Sequence, residues 1–393
     1  MTTLQNLTVE PVDGTALFRG ADNDRDNPNM IVMTGAGEEG DALVKVVLSR
    51  YLAGGAKVWM WDHTGEFHAF CGKSCGQIIN ARLLSLNPFA HVVDIEQSVP
   101  GLCEWLLSLA NADIQNEAVV LSAMRHAVRC VWRNRQNRAR IDDVVKALEG
   151  QAVRSEEVRK VTTALRQYQR GGTLGQYFLD TMPSLCLEDG LLLFSFERME
   201  AQEPELYRAL TLTLLLTARL DMQQSRERRD VVCILESDVL DTSFAEPHAQ
   251  SLFRQALSTA RREGGEYLIH GYQWPDCQSV TDALKLSFIQ IIYLTSPLAA
   301  RFLTAGDGHP LPDAGKSILT YIPGTAEESL FIRKTNRHDV TLNRLWLSDA
   351  EMGQCIDRPE DDENLMELRD MGLTHYGALQ FLGAYRRLGE TQK

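Results

Sequence analysis

The stretch Met30-Ile31-Val32-Met33-Thr34-Gly35-Ala36-Gly37-Glu38-Glu39-Gly40-Asp41-Ala42-Leu43 decides the fold. Met30 to Thr34 reads as a short buried strand, Gly35 to Gly40 as a tight Gly-rich turn, and the apolar spacing from Leu43 to Leu52 as a helix. Lys57-Val58-Trp59-Met60-Trp61-Asp62 follows as a second buried strand that closes on an acid. Residues 30–62 therefore form a βαβ unit, whose natural setting is a parallel sheet.

The pattern continues outward from that unit. From Pro100 to about Gln169 apolar residues recur at helical steps, through Leu102, Leu106 and Leu109 and again through Val120, Met124, Val128 and Trp132. Strand-like runs return at Leu191–Phe196, Val231–Leu235, Tyr267–His270 and Phe288–Tyr293, separated by helical stretches at Glu205–Arg219, Gln250–Arg262 and Val280–Leu286. Shorter strand-like pieces lie at Ser317–Tyr321 and Ser329–Ile332. The acidic Glu360-Asp361-Asp362-Glu363 reads as a solvated linker or helix N-terminus ahead of a helical segment from Leu365 to Leu388. This alternation predicts an α/β protein with a doubly wound, mostly parallel sheet, a helical insertion and a small C-terminal helical segment. The divisions fall at 1–99, 100–185, 186–350 and 351–393.

Composition limits the function classes. The 393 residues are 44% hydrophobic and 24% charged, enough apolar material for a large core, which excludes a disordered chain or a fibre. A formal charge of −13 repels nucleic acid and anionic lipid overall, so any polyanion contact must be local. One segment qualifies: Arg125, Arg129, Arg133, Arg135, Arg138 and Arg140 fall within sixteen residues. Arg129, Arg133 and Arg135 are its candidate polyanion contacts, against the plainer reading of a solvated helix face. The eight cysteines show no repeated pair spacing and read as reduced thiols of a cytoplasmic protein. Cys71 and Cys75 near His63 and His68 lack a second half at ligand spacing, so a loop around Gly72 is expected there and no metal. The N-terminus lacks a basic start and apolar stretch, and no apolar run reaches about 18 residues, so neither export nor a membrane span is expected. No G-x-S-x-G elbow supports a serine hydrolase.

The turn has the shape of a phosphate-binding loop without its chemistry. That motif, G-x-x-x-x-G-K-[ST], cradles phosphate with backbone N–H groups, neutralises it with lysine and ligates magnesium with the hydroxyl. Gly35 to Ala42 reads GAGEEGDA: the glycines are spaced correctly, but Asp41 replaces the lysine and Ala42 the hydroxyl, and Glu38 and Glu39 add acids. A charge pair at about 4 Å is worth roughly 4 kcal/mol at a dielectric near 20, and a micromolar site holds only about 8 kcal/mol. Exchanging attraction for repulsion therefore argues against ordinary binding of Mg·ATP. Gly72-Lys73-Ser74 and Gly315-Lys316-Ser317 lack the first glycine, with Phe67 and Pro310 in its place, and read as chance matches. At the end of the Val231–Leu235 run, Glu236 is the candidate metal-side acid, while Ser237 occupies the position of a water-activating glutamate; a shifted register would use Asp238. The alternative for Glu236 is a strand-end acid in solvent.

Over about Thr15 to Ser348 the chain resembles the C-terminal motor domain of the TraC-like, VirB-type ATPases of conjugation and type IV secretion. The resemblance rests on Asn27-Pro28-Asn29-Met30, Gly55-Ala56-Lys57-Val58-Trp59 leading to Asp62, and Leu86-Asn87-Pro88-Phe89. It continues through Gly171–Phe178, Leu193-Phe194-Ser195-Phe196-Glu197, Thr259–Gly265 and Gln273, all in family order. It implies a RecA-like core of the P-loop NTPase fold, a cytoplasmic location peripheral to the inner membrane through partners, and assembly into an oligomer with other secretion subunits or an intact TraC-like ATPase. It also implies that Gln273 is a sensor-like glutamine and that Arg261 or Arg262 serves a neighbour's site; a helix C-terminal charge pair is the alternative for the arginines. The lost lysine, hydroxyl and glutamate positions lead to the expectation of a pseudo-ATPase with no cofactor, or, alternatively, of a weak ATPase using ATP and magnesium with Lys45 as substitute cation. Because the loop starts at residue 35, the large N-terminal domain that precedes the motor in this family is expected to be missing.

Overall fold

The computed structural model describes residues 10–12, 29–33, 38–179, 190–225, 231–271, 289–293, 330–334, 340–345, 347–355 and 360–390. Its strands are β1 (Glu10–Val12), β2 (Met30–Met33), β3 (Lys57–Asp62), β4 (Gln77–Asn80), β5 (Leu191–Ser195), β6 (Val231–Glu236), β7 (Gly265–Gly271), β8 (Ile289–Tyr293), β9 (Leu330–Lys334) and β10 (Val340–Leu345). They form one sheet of order β1-β10-β9-β8-β2-β7-β6-β3-β5-β4. From β8 to β4 every pairing is parallel. β9 and β10 add an antiparallel flank. The strand read first from the sequence, β2, lies between β7 and β8, and the chain crosses from it past two strands to reach β3.

Helices follow as α1 (Glu38–Ala53), α2 (His68–Lys73), α3 (Ile95–Ala110), α4 (Glu117–Arg135), α5 (Ile141–Ala152), α6 (Glu156–Leu165), α7 (Met199–Gln202), α8 (Pro204–Ser225), α9 (Ser237–Ser243), α10 (Pro247–Glu263), α11 (Asp349–Cys355), α12 (Asp361–Asp370) and α13 (His375–Glu390). Side-chain alternation along the strands feeds two cores. Met30, Val32, Val58, Met60, Val232 and Ile234 pack with Leu43 and Val47 of α1 and Phe70 of α2. Their neighbours Ile31, Trp59, Trp61, Cys233, Leu235 and Ile269 join the larger core beneath α3, α4, α8 and α10. Both faces of the parallel strands are covered, which is why these segments read as continuous apolar runs. Buried polar groups are matched: Lys57 Nζ donates to Asp221 Oδ2 of α8 at 2.5 Å, and Trp59 Nε1 donates to the same oxygen at 3.0 Å.

The helical insertion starts earlier than its periodicity suggested. Asp94 caps α3 by accepting the N–H groups of Glu96 and Gln97, so the helix begins at Ile95 rather than Pro100. Gly72, expected in a loop, lies inside α2. β1, β4 and β10 carry no apolar alternation that marks them; β4 is an edge strand with mostly exposed residues. The expected helix at 280–286 and strand at 317–321 lie outside the described residues.

The C-terminal helices are docked, not tethered. Lys73 of α2 donates to Asp361 Oδ2 at 2.7 Å, and Arg386 of α13 pairs with the other oxygen of the same carboxylate. All three side chains are buried. Arg386 also donates to the carbonyl of Met352 at 2.7 Å. Asp361 is thus at a helix N-terminus, as one sequence reading had it, but it is not solvated. Close approach of α11 and α13 needs Gly353 and Gly383, where a Cβ would lie 2.0 Å from the Leu379 carbonyl oxygen and 1.6 Å from that of Asp349. Replacing Asp361 by Ala leaves two cations buried without their carboxylate. The expected cost is about 3–5 kcal/mol, read as a lower urea midpoint and as proteolysis within α12 and α13 before the sheet is cut.

Candidate functional site

Parallel sheets of this kind bind ligands outside the carboxyl ends of their strands, at the point where strand order reverses. There β3, β6 and β7 end side by side in Asp62, Glu236 and His270-Gly271. Glu236 is in register with His270. The helix that follows β2 contributes Asp41, Ala42 and Lys45.

Asp62 is fully buried and its Oδ1 accepts the Gly65 N–H at 2.8 Å, closing the turn after β3. Burial raises its pKa above the usual carboxylate value; the Gly65 N–H and the His68 imidazole, 3.4 Å from Oδ2, oppose that rise. Glu236 is buried rather than solvent-facing, and its Oε1 accepts the His63 N–H at 3.1 Å. Burial first, and the adjacent Asp62 second, push its carboxyl well above the ordinary range. Two carboxyls placed so close in a dry environment resist ionising together. Burial lowers His63 to about 3, its ring stacked on Phe196 and set edge-on to Tyr207.

The position that holds lysine in a working phosphate loop is filled differently. Asp41, 9% exposed, places Oδ1 3.8 Å from Nε2 of the buried His270. Burial and the charge of Lys45 lower His270 to about 4, so its imidazole is neutral at pH 7 and the contact with Asp41 is not an ion pair. Lys45, one turn further along α1, is 4% exposed and lays its ammonium over the Phe67 ring at 5.4 Å. Phe67 in turn meets His270 edge-on at 5.7 Å between centroids. Ala42 is buried in the same helix. Ser237 opens α9, and its hydroxyl lies against Gly271: a Cβ at that glycine would come within 1.8 Å of Oγ. Among the described residues this set comprises a helix-side carboxylate, a lysine packed on an aromatic ring and a strand-end acid held towards the protonated form.

Of the residues singled out from sequence, Asp41, Ala42, Glu236 and Ser237 therefore gather at one end of the sheet, with Gly40 in the first turn of α1. Gly35, Gly37 and Gln273 lie outside the described residues. Arg261 and Arg262 occupy the exposed last turn of α10, ahead of Gly264, and the chain then enters β7 from its amino end. They stand at the opposite edge of the sheet from His270, roughly 20 Å away along the strand, so they do not reach the site of their own chain. Arg262 instead lines a cleft of about 350 Å³ with Glu96, Arg219 and Glu263. Arg129, Arg133 and Arg135 are on α4, and Arg129 is clasped by Glu96 at 2.7–3.0 Å. His270 and His63 were missed as site residues; the only signal was a polar residue closing, or just following, an apolar strand. Among the described residues no group of three or more His, Cys, Asp or Glu side chains could hold a metal ion, and no helix is long and apolar enough to cross a membrane.

These features define a P-loop NTPase fold. Its sheet and helices superimpose on VirB4 of Thermoanaerobacter pseudethanolicus with a TM-score of 0.61 at 16% identity, covering 84% of this chain and 92% of that one. The bacterial conjugative coupling protein TrwB, in its unbound ΔN70 form, gives 0.53 at 14% identity over 86% of this chain and 93% of TrwB. TrwB in complex with a non-hydrolysable ATP analogue gives 0.54 at 14% identity, over 88% of this chain and 95% of that one. No protein-family model matches the chain. By sequence it is 26% identical to protein TraC of Escherichia coli K12 over 260 residues, 64% of this chain and 29% of TraC. The chain thus spans under a third of that relative. By sequence the chain is thus similar to part of TraC, and in fold it is similar to VirB4 and TrwB.

The pH dependence of stability follows from the buried groups. Glu236 is raised in the folded state, so its contribution is present below its usual value of 4.5 and falls as pH rises above it. Glu236→Gln keeps the acceptor for the His63 N–H and removes the titration. Its melting temperature is expected to exceed wild type at pH 8, with the gain shrinking towards pH 5. His63 and His270 act in the opposite sense: their contribution is complete above 6.5 and is lost as pH falls towards about 4 and then 3. Thermal melts of His270→Gln should show a blunted loss of stability between pH 6 and 4.

Proposed function

We propose that this chain is a non-hydrolysing, motor-like subunit of a conjugation or type IV secretion machine, retained for assembly or regulation while an intact relative supplies ATP hydrolysis. The observation that carries the reading is Asp41 at the lysine position, set beside a neutral His270 with Lys45 packed on Phe67. A nucleoside triphosphate entering there meets a carboxylate in a poorly screened environment, and repulsion of several kcal/mol exceeds what backbone N–H groups alone return. The buried Glu236, held towards its neutral form, removes the second ingredient, an ionised acid for magnesium.

In this reading the partners are other secretion or conjugation subunits, including a TraC-like ATPase, and the chain joins a homo- or hetero-oligomer peripheral to the inner membrane. In the same reading Arg261 or Arg262, remote from their own site, serve a neighbouring subunit; their exposure in the last turn of α10 supports this. No cofactor is required. A second reading, a weak ATPase using Lys45, is disfavoured by the packing of that side chain on Phe67.

Calorimetry with ATP, with and without magnesium, is expected to show no binding up to about 1 mM, weaker than about −4 kcal/mol. Substrate transfer in cells carrying the complete machine should fall when this chain is deleted and recover with the Lys45→Ala variant. Magnesium-dependent turnover abolished by Lys45→Ala or Glu236→Gln would overturn the proposal in favour of the enzyme. Transfer that rises on deletion would make the chain an inhibitor of the motor instead of a component.

A further inference from the structure

The arginine-rich segment is left unexplained by the site at the strand ends. Arg129 is taken up by Glu96, but Arg133, Arg135, Arg138 and Arg140 continue into the elbow that joins α4 to α5, and Arg170 approaches from beyond α6. Two hollows of about 540 and 460 Å³ open there and share Arg135, Asn137 and Arg138 in their linings. Every cation in both is an arginine. Asp142 and Asp143 are the acids of the lining: Asp142 accepts the Arg170 N–H at 3.0 Å, and Asp143 accepts the Arg140 N–H at 3.1 Å and lies 3.6 Å from Arg135. Among the described residues no carboxylate lies within ion-pair distance of Arg133, Arg138, Arg140 or Arg170. A chain of net charge −13 has thus gathered a concave surface on which arginines outnumber acids.

The elbow is built to hold that surface still. Gln136 at the C-terminus of α4 adopts φ 49° and ψ −132°, a conformation costly for a residue with a Cβ. The next residue fixes it: Asn137 Nδ2 donates towards three carbonyls, those of Phe89 and Ala90 at 3.2 Å and of Val92 at 2.9 Å. Strain of this kind persists only where surrounding contacts over-determine it, and it collects at functional loops.

We propose that this elbow is a binding site for the phosphodiester backbone of a single-stranded nucleic acid. Two hollows that share Arg135 and Arg138 and carry further arginines on either side suit a linear series of anions better than one isolated phosphate. Guanidinium groups bind phosphate through paired N–H donors and stack on exposed bases, which lysine does not do. A membrane surface fits less well, because it needs a flat face with apolar anchors, and none of the large exposed apolar side chains, such as Val119 and Val153, lines either hollow. The site is independent of the nucleotide question at the strand ends.

The test is fluorescence anisotropy of a labelled 20-nucleotide single strand titrated with the full chain between about 0.05 and 0.3 M salt. Arg138→Gln/Arg170→Gln removes two exposed guanidiniums that hold nothing else, and Arg133→Gln serves as a second variant should the first lower the melting temperature. Wild type is expected to bind with a steep salt dependence. The double variant should bind about tenfold more weakly at 0.1 M salt, with a log–log slope shallower by about 1.4, two contacts at roughly 0.7 each. The proposal is overturned if wild type shows no binding below about 100 μM, or if the variants bind as wild type does. It is equally overturned if polyglutamate, or vesicles containing phosphatidylserine, bind more tightly through the same arginines.

Discussion

Burial of a parallel sheet on both faces is the constraint on which the rest of this structure depends. Between two cores, β2, β3, β6 and β7 have no place for uncompensated charge along their lengths; Lys57 is tolerated only because Asp221 of α8 meets it. Polar chemistry is therefore driven to the strand ends. Even there the covering helices keep the dielectric low, so a group at a strand end is either matched or neutral. Asp62 is matched by backbone N–H groups, Glu236 is pushed towards its acid form, and His270 towards its base form. The strand ends are left with Glu236 and His270 both held towards their neutral forms.

The same logic explains why Asp41 does not simply invert the site. An acid beside a protonated histidine would form a strong buried pair and a fixed dipole. Burial of the imidazole prevents that, and the positive charge of Lys45 adds to the effect. The lysine's own cost of burial is offset by the Phe67 face beneath it. Three residues that look unrelated in the sequence thus meet at one strand end, and Phe67 opens the segment that leads directly into α2.

What the sequence made legible was what local pattern controls. The unit at 30–62, the strands at 191, 231 and 267 and the long helices of the insertion all follow from apolar spacing. The edge strand β4 was invisible because Gln77-Ile78-Ile79-Asn80 has little to bury. The state of Glu236 was invisible for a different reason. A strand-end acid in solvent and a buried one have identical local sequences, and what distinguishes them is burial against partners such as the His63 N–H and Asp62, 173 residues or more away along the chain. Asp361 repeats the point: a run of four acids reads as solvated until Lys73 and Arg386 are brought to it by tertiary packing.

Lys73 also joins the two ends of the molecule. It closes α2, the short helix that starts at His68, whose imidazole faces Asp62. Its carbonyl meets His375 Nε2 at 2.6 Å while its ammonium is held by Asp361. The α11–α13 unit therefore grips the far end of the helix whose near end borders the strand-end site. Buried ion pairs contribute little net stability but penalise every arrangement that separates them, so the gain is in uniqueness of docking. A uniquely docked set of helices and an elbow fixed by Asn137 are surfaces of the kind on which the assembly role proposed above rests.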